Sequence, residues 1–570
     1  MHFRQKILTG DLVWLADGTM MGLACLVLLV LVLRKDLREA PNWVGPALIA
    51  TVFLGLVLRM AISRDAIMTA WPYSRMVPLA SAIAHGPVFK AIASISGTPI
   101  YITDLIFNTN FALAVLTPLA VFAHANALFK DSRVALAVAA LLAVYPAHIM
   151  FSRSDVLFIQ SIALSSLTFA ILYRSLRAET RGWLVTYCLA LVPLLIGTYG
   201  LRPLNAIYFP LCVATVFVTV GPAVPMGRRW LVAAIVSGTF AVNVVTNLMV
   251  QSHQVSEGLG INTFTNAFRI AYSFRLNTLI NPSVTPILYM VLALAGGRWL
   301  LRKRQHAMFL YLGFWLGSFF VAHAYIWPHS LTMQARYHLH LAVPFLLFAG
   351  LGVNYLFTAP KWARVLAVLV ALASPLTHLE FERDLDFGMQ QEFEFLTSLR
   401  EEVPLGCNIV EFRGSSMVDL PRSSRLARVG HHFRDGRWVH SWRILSVAAP
   451  WAEAGRREYP GDFKVFTLEK ALEKVVDSGR CSYFFEGNLC WYHAVDPTLG
   501  GPPCEEIRSS VEMKEVLGKR FINRTYDPSD ELSGVNYPGD WRERKEEIAL
   551  KLYQIKIQDP AKTSDPDSAL

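Results

Sequence analysis

The sequence predicts a polytopic α-helical membrane protein of about twelve transmembrane helices, with a C-terminal α/β extracytoplasmic domain. Three observations lead there. Apolar residues make up 54% of the chain and charged residues only 17%, against about a quarter charged in an ordinary soluble protein. Acids are unevenly spread: between Ala40 and Leu379 they are Asp65, Asp104, Asp131, Asp155, Glu179 and Glu257 alone, whereas after Glu380 acids and bases return at ordinary density. Finally, the bases of the first part punctuate apolar runs, as topology signals do. The net charge of +10 is therefore no sign of nucleic-acid binding.

A bilayer core about 30 Å thick is crossed by about 20 apolar helical residues. On that ruler, spans fall near 12–33, 44–62, 103–127, 134–150, 156–173, 183–200, 203–221, 230–250, 283–300, 307–326, 338–358 and 362–379. The first is too long for a signal-peptide core and runs into Arg34, Lys35 and Arg38, so residues 1–43 read as a retained N-terminal anchor. Residues 44–379 form the main transmembrane domain, 380–558 the extracytoplasmic domain, and 559–570 a disordered tail.

Orientation follows from the short loops. Arg34/Lys35/Arg38, Lys130/Arg133, Arg174/Arg177/Arg181, Arg228/Arg229, Arg298/Arg302/Lys303/Arg304 and Lys361/Arg364 lie in alternate loops. The positive-inside rule turns these six to the cytoplasm. The expected setting is the inner (cytoplasmic) membrane, multi-pass, with the N-terminus and everything after residue 380 on the periplasmic side.

The tail pattern is α/β. Met389, Phe393, Leu396 and Val403 follow a helical stripe, and Cys407 to Phe412 reads as a strand. Thr467 can cap a helix carrying Leu468, Leu472, Val475 and Val476, which Gly479 can stop. Cys481 to Phe485 and Leu550 to Ile557 read as further strands. Cys25, Cys188 and Cys212 fall within spans as small packing residues. Cys407, Cys481, Cys490 and Cys504 all fall in the tail, where an oxidising compartment allows two disulfides. Three pairings are open; a zinc site is the alternative, but the tail has no CxxC pair.

The outer face carries the chemistry. Its acids are Asp65, Asp104, Asp155 and Glu257, and its loops hold Arg64, Arg75, Arg153, Arg202, Arg269, Arg275 and Arg336 against one lysine, Lys90. Arginine's planar fork grips phosphate oxygens in a bidentate way, so arginines with a few carboxylates suit a phosphate-bearing lipid and a general base. The plainer reading gives such arginines to lipid headgroups and helix ends. Histidines 85, 148, 253, 323, 329, 338 and 340 lie on or near this face without HExxH spacing. No Walker loop, dinucleotide fingerprint or GxSxG elbow is present, which speaks against a nucleotide-driven mechanism.

The order of features is more specific than any one residue. A span ends at Leu58-Arg59, and a long outer loop follows with Asp65 near its start and two short surface-helix patterns, Met76 to Ile83 and Phe89 to Ile95. Next comes Tyr145-Pro-Ala-His-Ile-Met-Phe-Ser-Arg-Ser-Asp155, entering a span; late in the chain Gln334-Ala335-Arg336-Tyr337 opens a span containing Pro344. Over residues 44 to 379 this arrangement resembles the GT-C glycosyltransferases, in particular the protein O-mannosyltransferase and lipid A aminoarabinose-transferase branch. Where that family commonly carries an Asp-Glu pair in the first loop, this chain reads Trp71-Pro-Tyr-Ser-Arg75, so the first-loop acid is Asp65, earlier in the loop, or is absent.

The resemblance implies an enzyme that moves a hexose or pentose from a polyprenyl-phosphate carrier, with inversion, to a lipid, glycan or protein acceptor outside the cytoplasm. It implies Asp65 as general base, with Asp155 and Asp104 as further catalytic candidates. Asp155 is a candidate for positioning acceptor or a divalent metal ion; both Asp155 and Asp104 also start spans, where capping is the competing role. Arg336, Arg202, Arg153, Arg64 and Tyr337 are the expected carrier-phosphate ligands. No metal-ligand set is legible, and the donor brings its own activation. A transporter or flippase for a lipid-linked glycan, or a non-catalytic assembly partner, is the alternative; the absence of internal repeats and the one-sided acids favour the enzyme.

Overall fold

A computed structural model describes residues 18–62, 100–154, 157–251, 267–268, 271–272, 277, 279–280, 285–324, 331–356, 360–362, 365, 369, 389–413, 425–434, 437–448, 465–487, 490, 503–523 and 546–557. They fall into two compact units: residues up to 62 with 107–369, and residues 100–106 with 389–557.

The first unit is helical. Its elements are α1 (Gly18–Glu39), α2 (Val44–Ile62), α3 (Ile102–Phe129, whose residues up to Ile106 belong to the second unit), α4 (Ser132–Ala143), α5 (Pro146–Met150), α6 (Phe158–Leu176) and α7 (Arg181–Gly200). After a 3-10 turn Pro203–Ile207 come α8 (Tyr208–Ala214), a π segment Thr215–Thr219, α9 (Met226–Gln251), α10 (Ile287–Arg302), α11 (His306–His323) and α12 (Leu331–Leu356). Among the described residues seven helices are long and apolar enough to cross a membrane: α2, α3, α6, α7, α9, α11 and the Leu339–Leu356 part of α12. They coincide with seven predicted spans. Their outward faces keep large apolar side chains such as Ile49, Phe53, Met60, Leu189 and Leu310 exposed, which suits a lipid surrounding and not water.

Among the described residues not every predicted span appears as one long helix. The predicted span 134–150 is two pieces: α4 has only 12 residues, and Tyr145 is extended because Pro146 follows it and opens α5. Span 203–221 becomes the 3-10, α and π sequence above, and span 283–300 becomes the 16-residue α10. The first span is α1, whose helix runs on through Arg34–Arg38 to Glu39, with 12–17 outside the described residues. Span 362–379 lies almost wholly outside them.

Helix α12 meets α10 backbone to backbone. A Cβ on Gly352 meets the Leu292 carbonyl oxygen at 1.9 Å, and one on Gly296 meets the Phe348 oxygen at 1.9 Å. Only glycine allows this approach, which makes the contact by close dispersion packing as membrane helices require.

Bases from three of the six predicted basic loops meet at one place. Arg174 pairs with Asp36, and Lys35 with Glu179 at 2.5 Å. Arg177 donates to the Ala127 carbonyl. Arg228 donates to the carbonyls of Leu176 and Ala178 at 3.2 and 2.8 Å, so loops far apart in sequence are tied at one end of the bundle.

The second unit is α/β. Its helices are α13 (Met389–Glu402), α14 (Arg425–Val429), α15 (Leu468–Ser478) and α16 (Pro503–Ser510); its strands are β1 (Ile100–Tyr101), β2 (Asn408–Arg413), β3 (His431–Arg434), β4 (Arg437–His440), β5 (Arg443–Ala448), β6 (Val465–Phe466), β7 (Ser482–Glu486), β8 (Glu512–Asn523) and β9 (Glu546–Lys556). One sheet has the order β6-β5-β2-β7-β9-β8, the other β1-β3-β4. In the larger sheet β6, β5, β2 and β7 are parallel, and β9 and β8 are antiparallel. The core joins Val410, Phe412, Leu445, Val447 and Phe484 to Ala471, Val475 and Ile507 from the helices.

The tail reading holds element by element. The Thr467 hydroxyl accepts from the Lys470 N–H, and Gly479 ends α15 at φ +59°, a left-handed position that favours glycine. The four tail cysteines form two disulfides, Cys407–Cys481 and Cys490–Cys504. The first follows from topology: β2 and β7 are parallel neighbours with Asn408 opposite Ser482, so the residues just before them face each other.

Candidate functional site

Of the residues singled out by sequence, Asp65, Arg64 and Asp155 lie outside the described residues. Arg336 and Tyr337 fall in the helical backbone of α12. Arg202, Arg153 and Asp104 can be placed with their partners.

Arg202 stands at the end of α7. Pro203 behind it forces an extended backbone, φ −149° and ψ 147°, which throws the side chain across to α6. Its guanidinium carbon lies 3.9 Å from the centre of the Phe158 ring, a cation–π contact. His340 meets that same ring edge-on at 5.0 Å.

Behind the ring runs a directed chain of hydrogen bonds, and its direction can be worked out. Asn205 Nδ2 donates to the Thr198 carbonyl at 2.6 Å; a carbonyl only accepts, so the Asn205 amide is fixed. Ser161 Oγ therefore donates to Asn205 Oδ1, at 3.0 Å. With its hydrogen spent, Ser161 accepts from His340 Nε2 at 2.8 Å. The proton of neutral His340 is then on Nε2, and Nδ1 accepts from His323 Nε2 at 3.1 Å. Ser161, Asn205, His323 and His340 are fully buried. Ser161 points its hydrogen away from the imidazole, so this is not a serine nucleophile activated by histidine. The chain instead ties α6, α7, α11 and α12 together under Arg202.

The turn entering α6 is held from three sides. Ser152 and Ser154 hydroxyls donate back to the carbonyls of Ile149 and Phe151, and Asn110 Nδ2 donates to the Ser154 carbonyl at 2.7 Å. Arg153 lies over the Phe111 ring at 5.9 Å. Two of the expected arginines thus contact rings near the entry to α6, Arg153 at Phe111 and Arg202 at Phe158.

One cation at this end was not singled out by sequence. Arg59, fully buried, donates to the carbonyls of Gly55 and Ala143 at 2.9 and 3.0 Å and to His148 Nδ1 at 2.5 Å. Its signal was present, an arginine three residues before the end of α2, but an apolar run closed by arginine reads as a helix end. Ser161 and Asn205 carried no signal, since their roles depend on partners 44 residues apart.

Asp104 belongs to the second unit. Arg400 grips it with both nitrogens, Nη1 to Oδ2 at 2.9 Å and Nη2 to Oδ1 at 3.2 Å. The same guanidinium donates to Thr103 Oγ and the Val429 carbonyl and lies 3.5 Å over the Tyr101 ring. Both carboxylate oxygens of Asp104 are thus engaged by one guanidinium. Among the described residues no three His, Cys, Asp or Glu side chains come together as a divalent ion requires.

No family model matches the sequence, and no curated protein matches it. Among solved structures the chain is similar to the Archaeoglobus fulgidus oligosaccharyltransferase tethered with an acceptor peptide, at 14% identity and a TM-score of 0.44 over 79% of this chain and 69% of that one. The same enzyme's complex with Zn and sulfate gives 14% and 0.45 over 85% and 72%. ArnT from Cupriavidus metallidurans bound to undecaprenyl phosphate gives 10% and 0.46 over 90% and 98%. At TM-scores below 0.5 these likenesses carry no argument about this chain's role.

Proposed function

We propose that the protein is a membrane glycosyltransferase that takes a sugar from a polyprenyl-phosphate carrier and transfers it, with inversion, to a hydroxyl-bearing lipid, glycan or protein at the extracytoplasmic face. The observation that carries this reading is the gathering of Arg202 and Arg153 around the entry to α6, at the end of the bundle opposite the tied basic loops. Each guanidinium lies on an aromatic ring, which orients its planar fork. Arg336 and Tyr337 lie in the second turn of α12, the helix that also carries His340, and with Arg64 they complete the proposed phosphate ligands.

In the reaction the acceptor oxygen attacks the anomeric carbon. The new carbon–oxygen bond forms as the bond from that carbon to the phosphate oxygen breaks, and the electron pair leaves on the phosphate, which the arginines stabilise. The acceptor's proton goes to a carboxylate, Asp65, with Asp155 positioning the acceptor; Asp104 is committed to Arg400. Asp65→Asn keeps the shape and removes the base, a loss on the order of 10²–10⁴ in rate, while carrier binding survives. Arg202→Ala and Arg336→Ala weaken carrier binding and transfer together. Asp155→Asn separates capping from chemistry, since asparagine caps about as well as aspartate. Near-normal transfer in Asp65→Asn with none in Asp155→Asn moves the base to Asp155; full activity in both sinks the catalytic reading of this face.

A further inference from the structure

Arg59 and His148 form a buried pair whose chemistry is fixed by one contact. A guanidinium has donors only, so the bond at 2.5 Å makes His148 Nδ1 the acceptor. The imidazole proton is therefore held on Nε2. A second proton, on Nδ1, has nowhere to go, because it would face the Arg59 donor. His148 is fully buried, and among the described residues nothing accepts from its Nε2. An unsatisfied buried donor costs about 1–3 kcal/mol; His340 has both of its nitrogens matched, whereas His124, packed among aromatic rings, has neither, and His148 differs from His124 in having a cation fixed on its other nitrogen.

The surroundings define what the donor meets. Among the described residues of the first unit the acids are Asp36, Glu39, Asp131 and Glu179, and all belong to the basic end of the bundle. Arg59 and His148 lie toward the other end, where α5 leads into the Phe151–Ser154 turn and on to α6. A permanent cation behind the ring polarises the Nε2–H bond toward an anionic oxygen.

We infer that His148 is a hydrogen-bond donor to a phosphate oxygen of the bound ligand, held in its donating form by Arg59. The inference rests on reading this end as the carrier site, and it adds a neutral donor to the arginines proposed there. It is tested on the full-length protein in nanodiscs with undecaprenyl phosphate, undecaprenol and inorganic phosphate as probes. His148→Phe keeps ring shape and lacks the donor; it weakens undecaprenyl phosphate binding about 10–100-fold, the change a lost hydrogen bond to a charged group gives. Undecaprenol binding stays unchanged, and His148→Gln, which keeps an N–H at similar reach, recovers most of the loss. Without ligand, His148→Phe melts no lower than wild type, which shows that the variant folds. Displacement of undecaprenyl phosphate by inorganic phosphate from wild type but not from His148→Phe supports phosphate itself, and not the lipid chain, as the group met. Unchanged undecaprenyl phosphate binding in His148→Phe, or an equal fall for undecaprenol, overturns the inference. If Arg202→Ala and Arg336→Ala bind normally while His148→Phe does not, the arginine site is wrong and the inference stands; the reverse pattern overturns the inference and leaves the arginine site.

Discussion

Arg400 is the side chain whose removal tests the second unit most sharply. It is 12% exposed and Asp104 43% exposed, so solvent screens their ion pair, which we place at about 1 kcal/mol. The hydrogen bonds to the Val429 carbonyl and Thr103 add about 1 kcal/mol each. The Tyr101 stack at 3.5 Å adds about 1 kcal/mol more. These terms share one guanidinium and are not additive, so Arg400→Leu is expected to cost about 2–4 kcal/mol. Asp104→Asn loses only the ion pair and turns an amide toward the fork, about 1–2 kcal/mol. For a unit of roughly 150–250 residues each kcal/mol moves the melting temperature by about 2–4 °C. Thermal unfolding of the purified protein in detergent therefore shows the second unit's transition falling by about 4–16 °C for Arg400→Leu and about 2–8 °C for Asp104→Asn. Transfer persists in Asp104→Asn below the transition. An Asp104→Asn protein that melts like wild type but has no transfer activity refutes this reasoning, because the carboxylate then works in the chemistry and not in the clamp.

Reducing the disulfides should destabilise the second unit unequally. The separations of 14 and 74 residues correspond to loop-closure losses of about 3 and about 4.5 kcal/mol, so Cys407→Ser/Cys481→Ser lowers the melting temperature more than Cys490→Ser/Cys504→Ser. Gly352→Ala drives a methyl into the Leu292 carbonyl and forces α10 from α12; folded yield after detergent extraction falls, whereas Gly45→Ala, with open space around it, leaves yield intact. His431 has its pKa lowered to about 3 by burial, with His440 and His432 beside it. The unfolded chain then binds the proton and the folded chain does not, so stability is full above about pH 6.5 and is lost as pH falls toward 3. Melting at pH 5 instead of 7 should show a loss on the order of 1–2 kcal/mol, and His431→Phe should flatten it.

Much of the architecture was legible because its causes are local. A run of about 20 apolar residues has few alternatives to a membrane helix, and seven such runs reappear as helices close to their expected limits. Thr467 and Gly479 mark the ends of α15 for reasons contained in four residues. The break at Tyr145–Pro146 was less visible because apolar residues on both sides hide a proline's effect from a hydropathy ruler. Cysteine pairing was not legible, since it depends on β2 and β7 becoming parallel neighbours across a crossover. The site divides in the same way. Arg202 and Arg153 were expected, but the Ser161–Asn205–His340–His323 chain exists only once four helices converge. Arg59 looked like the end of a helix and is a buried partner of His148.

The most direct test of the glycosyl-transfer claim is lipid and glycan analysis of cells lacking the protein, complemented with wild type or with Asp65→Asn. The account predicts that the sugar is missing from its acceptor, that sugar-loaded polyprenyl phosphate accumulates, and that wild type but not Asp65→Asn restores the modified acceptor. A fully modified acceptor in the deletion strain contradicts the claim, and so does a lipid-linked glycan stranded on the cytoplasmic leaflet, which is what loss of a transporter produces.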